Sequence, residues 1–301
     1  MDVPTRLGPL RARVVGDGPP ALLWHSLFVD STTWRRVEPA LAAHRRLIIV
    51  DGPNHGANPR VPVPFTLEDC VGVAVDVLDH LGVDEPVDWV GNAWGGHVGI
   101  LFAADHPGRC RSLAAIGAPV HALSPSDRRQ IVLLAALYRV LGPRAVVRPL
   151  ADALVGAGDP EATAVVAGAF ARAGRRGMYE ATRRLSLGRR DLTPVLPRVV
   201  TPTVLTTGVH DSMWTVAAAR SAVGHLPHGA LVVLPGDGHV GPLLRAAPEV
   251  VEVVTRLWGD PAGAVARWSH GIDRGPRTEL SGQPAGAEDD PRGSAAAQRP
   301  A

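Results

Sequence analysis

The chain has 301 residues, of which 46% are hydrophobic and 20% charged, as expected for a globular protein with a large buried core. Its 31 basic and 29 acidic residues nearly cancel, which argues against nucleic acid and anionic membranes as partners. No apolar run reaches the roughly 20 residues of a membrane span, and residues 1–13 lack the apolar core of a signal peptide. Two cysteines, Cys70 and Cys110, make no disulfide framework, so a cytoplasmic location is expected.

Short apolar runs alternate with amphipathic stretches in the first half of the chain. Buried strands are predicted at residues 21–24, 47–50, 87–90 and 112–116, and helices at 67–81 and 94–106. An order of strand, helix, strand and helix indicates an α/β fold with a parallel, doubly wound sheet.

The pattern changes after residue 119. Four helices are predicted at residues 129–141, 145–155, 161–173 and 178–186, before strands at 203–207 and 231–234 and a last helix at 248–258. We therefore predict a core of residues 1–119 and 198–259, with a helical cap of residues 120–197 over the carboxyl edge of the sheet. Residues 260–301 are rich in Gly, Pro, Ala, Ser and charge, which predicts a disordered tail.

The third predicted strand runs into the sequence Gly91-Asn92-Ala93-Trp94-Gly95-Gly96, which precedes a helix. Small residues at 91, 95 and 96 permit a sharp strand-to-helix turn whose tip, residue 93, points outward. This is the packing of the nucleophile elbow Gly-x-Ser-x-Gly, with alanine in place of serine. Glycine-rich strand-to-helix turns also occur in nucleotide-binding folds, so the turn alone leaves both interpretations open.

Four other segments resemble the α/β-hydrolase superfamily. They are the strand and loop 22–27 with His25, the turn 49–56 with Asn54 in place of a glycine, 208–211 with Asp211, and 236–239 with His239. The chain order of elbow, acid and histidine is that of the α/β-hydrolases, and the resemblance extends over about residues 7–258. It implies the α/β-hydrolase fold, with a mostly parallel twisted sheet flanked by helices and a helical cap.

The resemblance also implies roles for single residues. His239 would be the catalytic base and Asp211 its orienting acid, although Asp211 can equally cap the segment that follows it. The backbone N–H groups of Leu27 and Trp94 would form the oxyanion hole.

Several other polar or aromatic side chains are candidates for secondary roles. His25, Ser26 and Trp214 are predicted to contact the substrate, and His25 also to hold the oxyanion loop. His55 and His97 are interpreted as turn and packing residues. No histidine pair has the spacing of a metal-binding helix, so neither a metal nor a cofactor is expected.

Ala93 leaves the function open, because a methyl group cannot attack a carbonyl carbon or form an acyl-enzyme. The chain could be an inactivated serine enzyme, a member that uses His239 and Asp211 as a general base, or a binding protein that retains the pocket. The leading hypothesis is an enzyme for a small apolar ester, lactone or related carbonyl compound. The alternatives are a non-catalytic ligand-binding protein and cofactor-free base chemistry, such as C–C cleavage or oxygenation. The expected partner is a small molecule, and the sequence does not define the oligomeric state.

Overall fold

The structure, a computed structural model, describes residues 1–156, 158–236 and 239–271. The described strands are β1 (Asp2–Val3), β2 (Leu10–Val15), β3 (Pro20–Trp24), β4 (Arg46–Val50), β5 (Val87–Asn92), β6 (Cys110–Ile116), β7 (Thr203–Gly208) and β8 (Gly229–Leu234). They form one sheet in the order β1-β2-β4-β3-β5-β6-β7-β8. The pairings β1–β2 and β2–β4 are antiparallel, and all pairings from β4 to β8 are parallel.

The described α-helices connect or flank these strands. They are α1 (Glu38–Ala42), α2 (Leu67–His80), α3 (Trp94–Asp105), α4 (Pro125–Leu141), α5 (Pro143–Val155), α6 (Pro160–Arg172), α7 (Arg175–Ala181), α8 (Val216–Val223), α9 (Gly241–Arg245), α10 (Ala247–Gly259) and α11 (Pro261–Ser269). A π-helical turn (Thr182–Ser186) follows α7, and 3-10 turns lie at Ser31–Arg36, Pro107–Arg109 and Thr193–Arg198. None of the helices in the described ranges is both long and apolar enough to cross a membrane.

Both faces of the sheet are covered. In β3, Leu22 and Trp24 belong to one buried apolar cluster, whereas Ala21 and Leu23 belong to a second. Side chains alternate between the two faces of a strand, so the two clusters lie on opposite sides of the sheet. The continuous burial of β3 is the pattern of a parallel strand with helices on both faces, as the sequence predicts.

Strand β2 is absent from the predicted elements because its sequence has a different pattern. Leu10 and Ala12 are buried, whereas Arg11 and Arg13 between them are exposed. This alternation is typical of an antiparallel strand near a sheet edge with one face in water, not of a buried parallel strand.

The tail prediction was wrong for the first residues after 259. Residues 261–269 form α11, and Ala264, Val265 and Trp268 pack into the apolar cluster that also contains Trp258. The Asp260 carboxylate accepts a hydrogen bond from the Gly263 N–H (3.0 Å) and so caps the helix. The prediction of disorder for residues 272–301 lies outside the described residues.

Helices α4 to α7 and the π-helical turn form an insertion between β6 and β7, within the range of the predicted cap. A third buried apolar cluster joins Leu150 and Phe170 of the insertion to Val29 and Val240 of the core. The guanidinium of Arg172 also donates to the buried carboxylate of Asp30 (2.7 Å). These contacts fix the insertion over the loops at the carboxyl edge of the sheet.

Candidate active site

The turn from β5 to α3 has the sharp geometry that its glycines predict. Ala93 has φ 46° and ψ −102°, a backbone conformation that is strained for a residue with a Cβ atom. Its N–H donates to the Ile116 carbonyl (2.8 Å), and its carbonyl accepts from the His97 N–H (3.0 Å). The hydrogen bonds therefore hold the strained residue between two strands and the first turn of α3.

Close backbone approaches explain why glycine occupies positions 91 and 95. A Cβ atom on Gly91 would lie 2.2 Å from the Gly95 carbonyl oxygen, and one on Gly95 would lie 1.9 Å from the carbonyl oxygen of Trp24. Both distances are far inside van der Waals contact, and both neighbours are backbone atoms. The turn can thus be built only with glycine at these two positions.

His239 and Asp211 meet at the carboxyl edge of the sheet. The Nδ1 atom of His239 lies 2.6 Å from an Asp211 carboxylate oxygen, so the predicted contact is present. The other carboxylate oxygen accepts from the N–H groups of Met213 and Trp214, both at 2.9 Å. Asp211 therefore caps its own loop and orients the histidine at the same time.

The environment of Asp211 keeps it ionised. Burial acts to raise the pKa of the carboxyl, but the hydrogen bonds from His239, Trp214 and Met213 hold the pKa below its ordinary value. An ionised carboxylate accepts the Nδ1–H of His239, which leaves the Nε2 lone pair of a neutral imidazole free to accept a proton.

Asn92, which precedes the elbow residue, joins the elbow to the histidine loop. Its side-chain Nδ2 donates to the carbonyl oxygens of Ile116 (3.1 Å) and His239 (2.6 Å). No role for Asn92 is predicted from the sequence. The sequence does place its carboxamide at the end of a buried strand, where a polar side chain requires a hydrogen-bond partner.

The two residues predicted to supply oxyanion donors, Leu27 and Trp94, both line the cavity that contains Ala93. Among the described residues, neither the Leu27 N–H nor the Trp94 N–H has a hydrogen-bond acceptor. Trp94 is the first residue of α3, so its N–H also lies at the positive end of the helix dipole.

Ser26, which replaces a glycine of the family pattern, does not require the flexibility of glycine. The residue of this loop with positive φ is Phe28 (68°), not Ser26. Phe28 is held by stacking on Phe170 of the insertion, with the ring centroids 6.0 Å apart. Asn54, the other replacement of glycine, does adopt positive φ (64°), a conformation that asparagine tolerates better than most residues.

The prediction that His25 contacts the substrate was wrong. His25 is fully buried, and the Gly52 N–H donates to its Nε2 atom (2.9 Å), so Nδ1 carries the proton and donates to the Ser26 carbonyl (2.6 Å). Both ring nitrogens already have backbone partners. His25 therefore holds the loop that contains Ser26 and Leu27 in place, which is the second role predicted for it.

His55 packs against His25 and the Trp94 indole, with ring centroids 5.1 Å and 4.8 Å away. It is completely buried, and its Nδ1–H donates to the Pro53 carbonyl (2.8 Å). Burial, together with the neighbouring His25, lowers the pKa of His55 to about 3, so its imidazole is neutral near pH 7.

Trp214 was also wrongly predicted to contact the substrate. It is fully buried outside the cavity, and its indole N–H donates to the Thr206 carbonyl (3.2 Å). The indole of Trp94 is likewise packed in the core against Trp24, at a centroid distance of 5.4 Å. The tryptophans at this edge therefore support the loops by packing.

A cavity of about 300 Å³ lies between the elbow and the insertion. Ala93, Ser26, Leu27 and His239 line its floor. Its apolar wall consists largely of Phe28, Ile131, Leu134, Leu150, Leu154, Leu185 and Met213. The volume is at the lower end of the range for small-molecule sites, so a compact, mostly apolar ligand fits.

His97 and Arg189 also line this cavity. The sequence predicts a packing role for His97 and no role for Arg189. The Nε2–H of His97 donates to the Pro119 carbonyl (2.8 Å). Burial and the charge of Arg189 hold the pKa of His97 well below its ordinary value. Apolar periodicity could not identify either residue, because both are polar groups placed at the cavity by loops and helix ends.

Three other nucleophilic side chains, Cys70, Ser212 and Ser26, are unsuitably placed to substitute for a serine at residue 93. Cys70 is completely buried, and burial raises the pKa of its thiol well above the ordinary value, which disfavours the reactive thiolate. Ser212 is exposed and does not line the cavity, whereas Ser26 lines it without a base as hydrogen-bond partner among the described residues. In the described parts of the chain, no three His, Cys, Asp or Glu side chains are grouped as metal ligands would be.

Comparison with known proteins gives partial relatives of this chain. The alpha/beta hydrolase fold family matches residues 19–141. A 2-hydroxy-6-oxo-2,4-heptadienoate hydrolase of Pseudomonas putida is 37% identical over 108 residues, which are 35% of this chain and 39% of that protein. A putative non-heme haloperoxidase of Mycobacterium phage D29 is 31% identical over 105 residues, 35% of this chain and 37% of that protein. The chain thus matches less than two fifths of the length of either relative.

The whole fold has a counterpart among solved structures. The enol-lactonase of Burkholderia xenovorans LB400 superposes with a TM-score of 0.78 at 23% identity, over 86% of this chain and 100% of the other. The eight-stranded, mostly parallel sheet flanked by helices agrees with this match. The chain has the α/β-hydrolase fold.

Proposed function

We propose that the protein hydrolyses a small, mostly apolar ester or lactone, with His239 and Asp211 activating a water molecule in place of a serine nucleophile. The observation that carries this proposal is the contact of 2.6 Å between His239 and Asp211 beside a cavity that Ala93 also lines. The strained turn at Ala93 and the carboxylate of Asp211 also support the proposal. So do the N–H groups of Leu27 and Trp94, which have no acceptor among the described residues. Residue 93 itself has no nucleophilic oxygen.

In the proposed reaction, His239 Nε2 removes a proton from water as the water oxygen bonds to the carbonyl carbon. The carbonyl electron pair moves onto oxygen, where the N–H groups of Leu27 and Trp94 stabilise the negative charge. When the C–O bond to the leaving group breaks, the protonated His239 returns the proton to the departing oxygen. Asp211 stabilises the imidazolium between these two steps.

A non-catalytic binding protein is the second candidate, and the methyl group of Ala93 favours it. Loss of the serine in a serine protease removes about a million-fold of turnover but leaves a rate roughly a thousand-fold above that in water. Because so much turnover is lost with the serine, a cavity that keeps its hydrogen-bond donors could serve binding alone. Turnover, and its dependence on the histidine–aspartate pair, distinguishes the two candidates.

The test is steady-state hydrolysis of short p-nitrophenyl esters and small lactones by the unmodified chain and by Asp211→Asn. We expect slow turnover without an initial burst, no mass increase of the protein from acylation, and a decrease of at least about a hundredfold in Asp211→Asn. The decrease follows because asparagine cannot stabilise the imidazolium. Circular dichroism verifies that the variant is folded. Equal turnover in the two proteins would contradict the role of the histidine–aspartate pair. Absence of turnover from both would contradict the proposal in favour of the binding protein.

A further inference from the structure

Arg189 is a cation in the wall of an otherwise mostly apolar cavity. Its guanidinium donates to the Val120 carbonyl (3.3 Å), beside Pro119 and His121 of the same cavity wall. Among the described residues, no carboxylate lies within ion-pair distance of it. A guanidinium has five N–H donors, so most of those of Arg189 have no protein partner among the residues that the structure describes.

Arg189 shares this cavity with His239 of the histidine–aspartate pair. His97, whose ring donates to the Pro119 carbonyl, lies in the same wall, and burial and the charge of Arg189 both contribute to its lowered pKa. Burial lowers the pKa of Arg189 to about 10, with only a small opposing effect from Asp191. Near pH 7 the side chain is still a cation, and a ligand anion would compensate the cost of its burial.

The other polar groups around Arg189 favour a single negative charge on that ligand. Burial and Arg189 lower the pKa of His121, which therefore offers a neutral N–H rather than a second cation. Asp127 also lines the cavity, and its carboxylate accepts a hydrogen bond from the Ser124 hydroxyl (2.6 Å). One cation, neutral imidazoles and a nearby carboxylate suit a monoanion better than a phosphate dianion.

We propose that the ligand carries a carboxylate, separate from the reacting carbonyl, and that Arg189 binds this carboxylate inside the cavity. The planar guanidinium can donate two parallel N–H bonds to the two oxygens of one carboxylate. The apolar wall would then contact the remainder of the ligand. This inference rests on the proposed function for the reacting carbonyl, but the carboxylate site requires no turnover.

The test uses two probes of similar shape that have no bond to hydrolyse, phenylacetate and its neutral analogue phenylacetamide. Calorimetric titration of the unmodified chain should give at least about tenfold tighter binding of phenylacetate, about 1.4 kcal/mol. In Arg189→Gln this preference should disappear, with the affinity for phenylacetamide changed less than about twofold. Arg189→Lys, which retains the charge without the planar fork, should retain part of the preference.

Arg190→Gln is the matched control, because Arg190 is exposed, pairs with Glu68 (3.0 Å) and does not line this cavity. Its carboxylate preference should equal that of the unmodified chain. Equal affinity of the unmodified chain for both probes, binding of neither, or a preference that persists in Arg189→Gln would overturn the proposal. The comparison of probes in the unmodified chain holds even if a variant fails to fold. A preference without any ester turnover would disprove the proposed reaction and still support the carboxylate site.

Discussion

A histidine–aspartate pair, His239 and Asp211, and a histidine–histidine pair, His25 and His55, differ in the groups that contact each imidazole. His239 has a buried carboxylate on one nitrogen and the cavity beside it. His25 and His55 have only backbone hydrogen-bond partners, are fully buried, and pack beneath the Trp94 indole. The first pair can exchange a proton with a ligand, whereas the second has no access to one.

Residue type and proximity to the elbow therefore do not decide whether an imidazole lies at the cavity. An imidazole acts as a base near pH 7 when an ionised carboxylate fixes its tautomer and its other nitrogen faces the substrate. An imidazole enclosed by aromatic rings and backbone groups instead contributes packing and loop geometry. The predictions below test this division, from the largest expected effect to the smallest.

The largest effect is expected from Ala93→Ser. The strained turn places residue 93 at the cavity that His239 lines, so a serine hydroxyl there would meet the base and the oxyanion donors. We expect hydrolysis of short activated esters to increase by at least about a hundredfold, with a burst from acyl-enzyme formation. Stopped-flow measurement of p-nitrophenol release gives both the size of the burst and the steady-state rate.

The control for this gain is His239→Ala in the Ala93→Ser background, which should abolish the gain without unfolding the protein. A folded Ala93→Ser protein that neither turns over esters nor reacts with an active-site phosphonate would disprove that the remaining catalytic groups are aligned. Ser26 does not have positive φ, so a serine in place of glycine at this position does not strain the loop or displace the Leu27 N–H. A displaced donor would therefore not explain such a result.

A smaller effect is expected from His55→Gln, on the pH dependence of stability. The pKa of His55 falls from 6.5 in the unfolded chain to about 3 in the folded one. Below pH 6.5 the unfolded state therefore binds a proton that the folded state does not, and the free energy of unfolding decreases as the pH falls towards 3. In His55→Gln the loss between pH 7 and pH 5 should be smaller by roughly 2 kcal/mol.

Urea denaturation at the two pH values measures this difference. Exposed His225 provides the matched control, because His225→Gln should keep the acid sensitivity of the unmodified chain. If His55→Gln loses as much stability between pH 7 and pH 5 as the unmodified chain does, His55 is not held neutral by burial.

The smallest effect is expected from Ser26→Gly. The oxyanion loop is held by the hydrogen bond from His25 to the Ser26 carbonyl and by stacking of Phe28, neither of which needs the serine side chain. We expect kcat/KM for a short ester to change by less than about threefold. A change of tenfold or more would mean that the Ser26 hydroxyl contacts the ligand.

The fold could be predicted largely because its core follows simple patterns. Strands β3 to β8 are short apolar runs, and the elbow glycines have a single structural explanation. Helix α11 was missed because only Ala264, Val265 and Trp268 bury apolar surface in a segment whose composition resembles the residues after it. The amphipathic β2 was missed because its arginines interrupt the apolar run.

The site could be predicted only in part. Chain order and flanking glycines identify His239 and Asp211 from the sequence, and the two side chains are in contact in the structure. His25 is hydrogen-bonded to Gly52, which is distant in sequence, and Trp214 to Thr206 of the preceding strand, so the apolar pattern does not separate them from ligand contacts. Arg189 lies on a loop after the π-helical turn, and only the folded chain brings it to the cavity.

The central claim is that the histidine with a carboxylate partner does the chemistry and the buried pair does not. The most direct test is to compare kcat/KM for one short ester in His239→Gln and His55→Gln of the otherwise unmodified chain, at a temperature where both are folded. We predict a loss of at least about a hundredfold in His239→Gln and a change of less than about threefold in His55→Gln. Equal losses in the two variants, or full activity in His239→Gln, would contradict the claim.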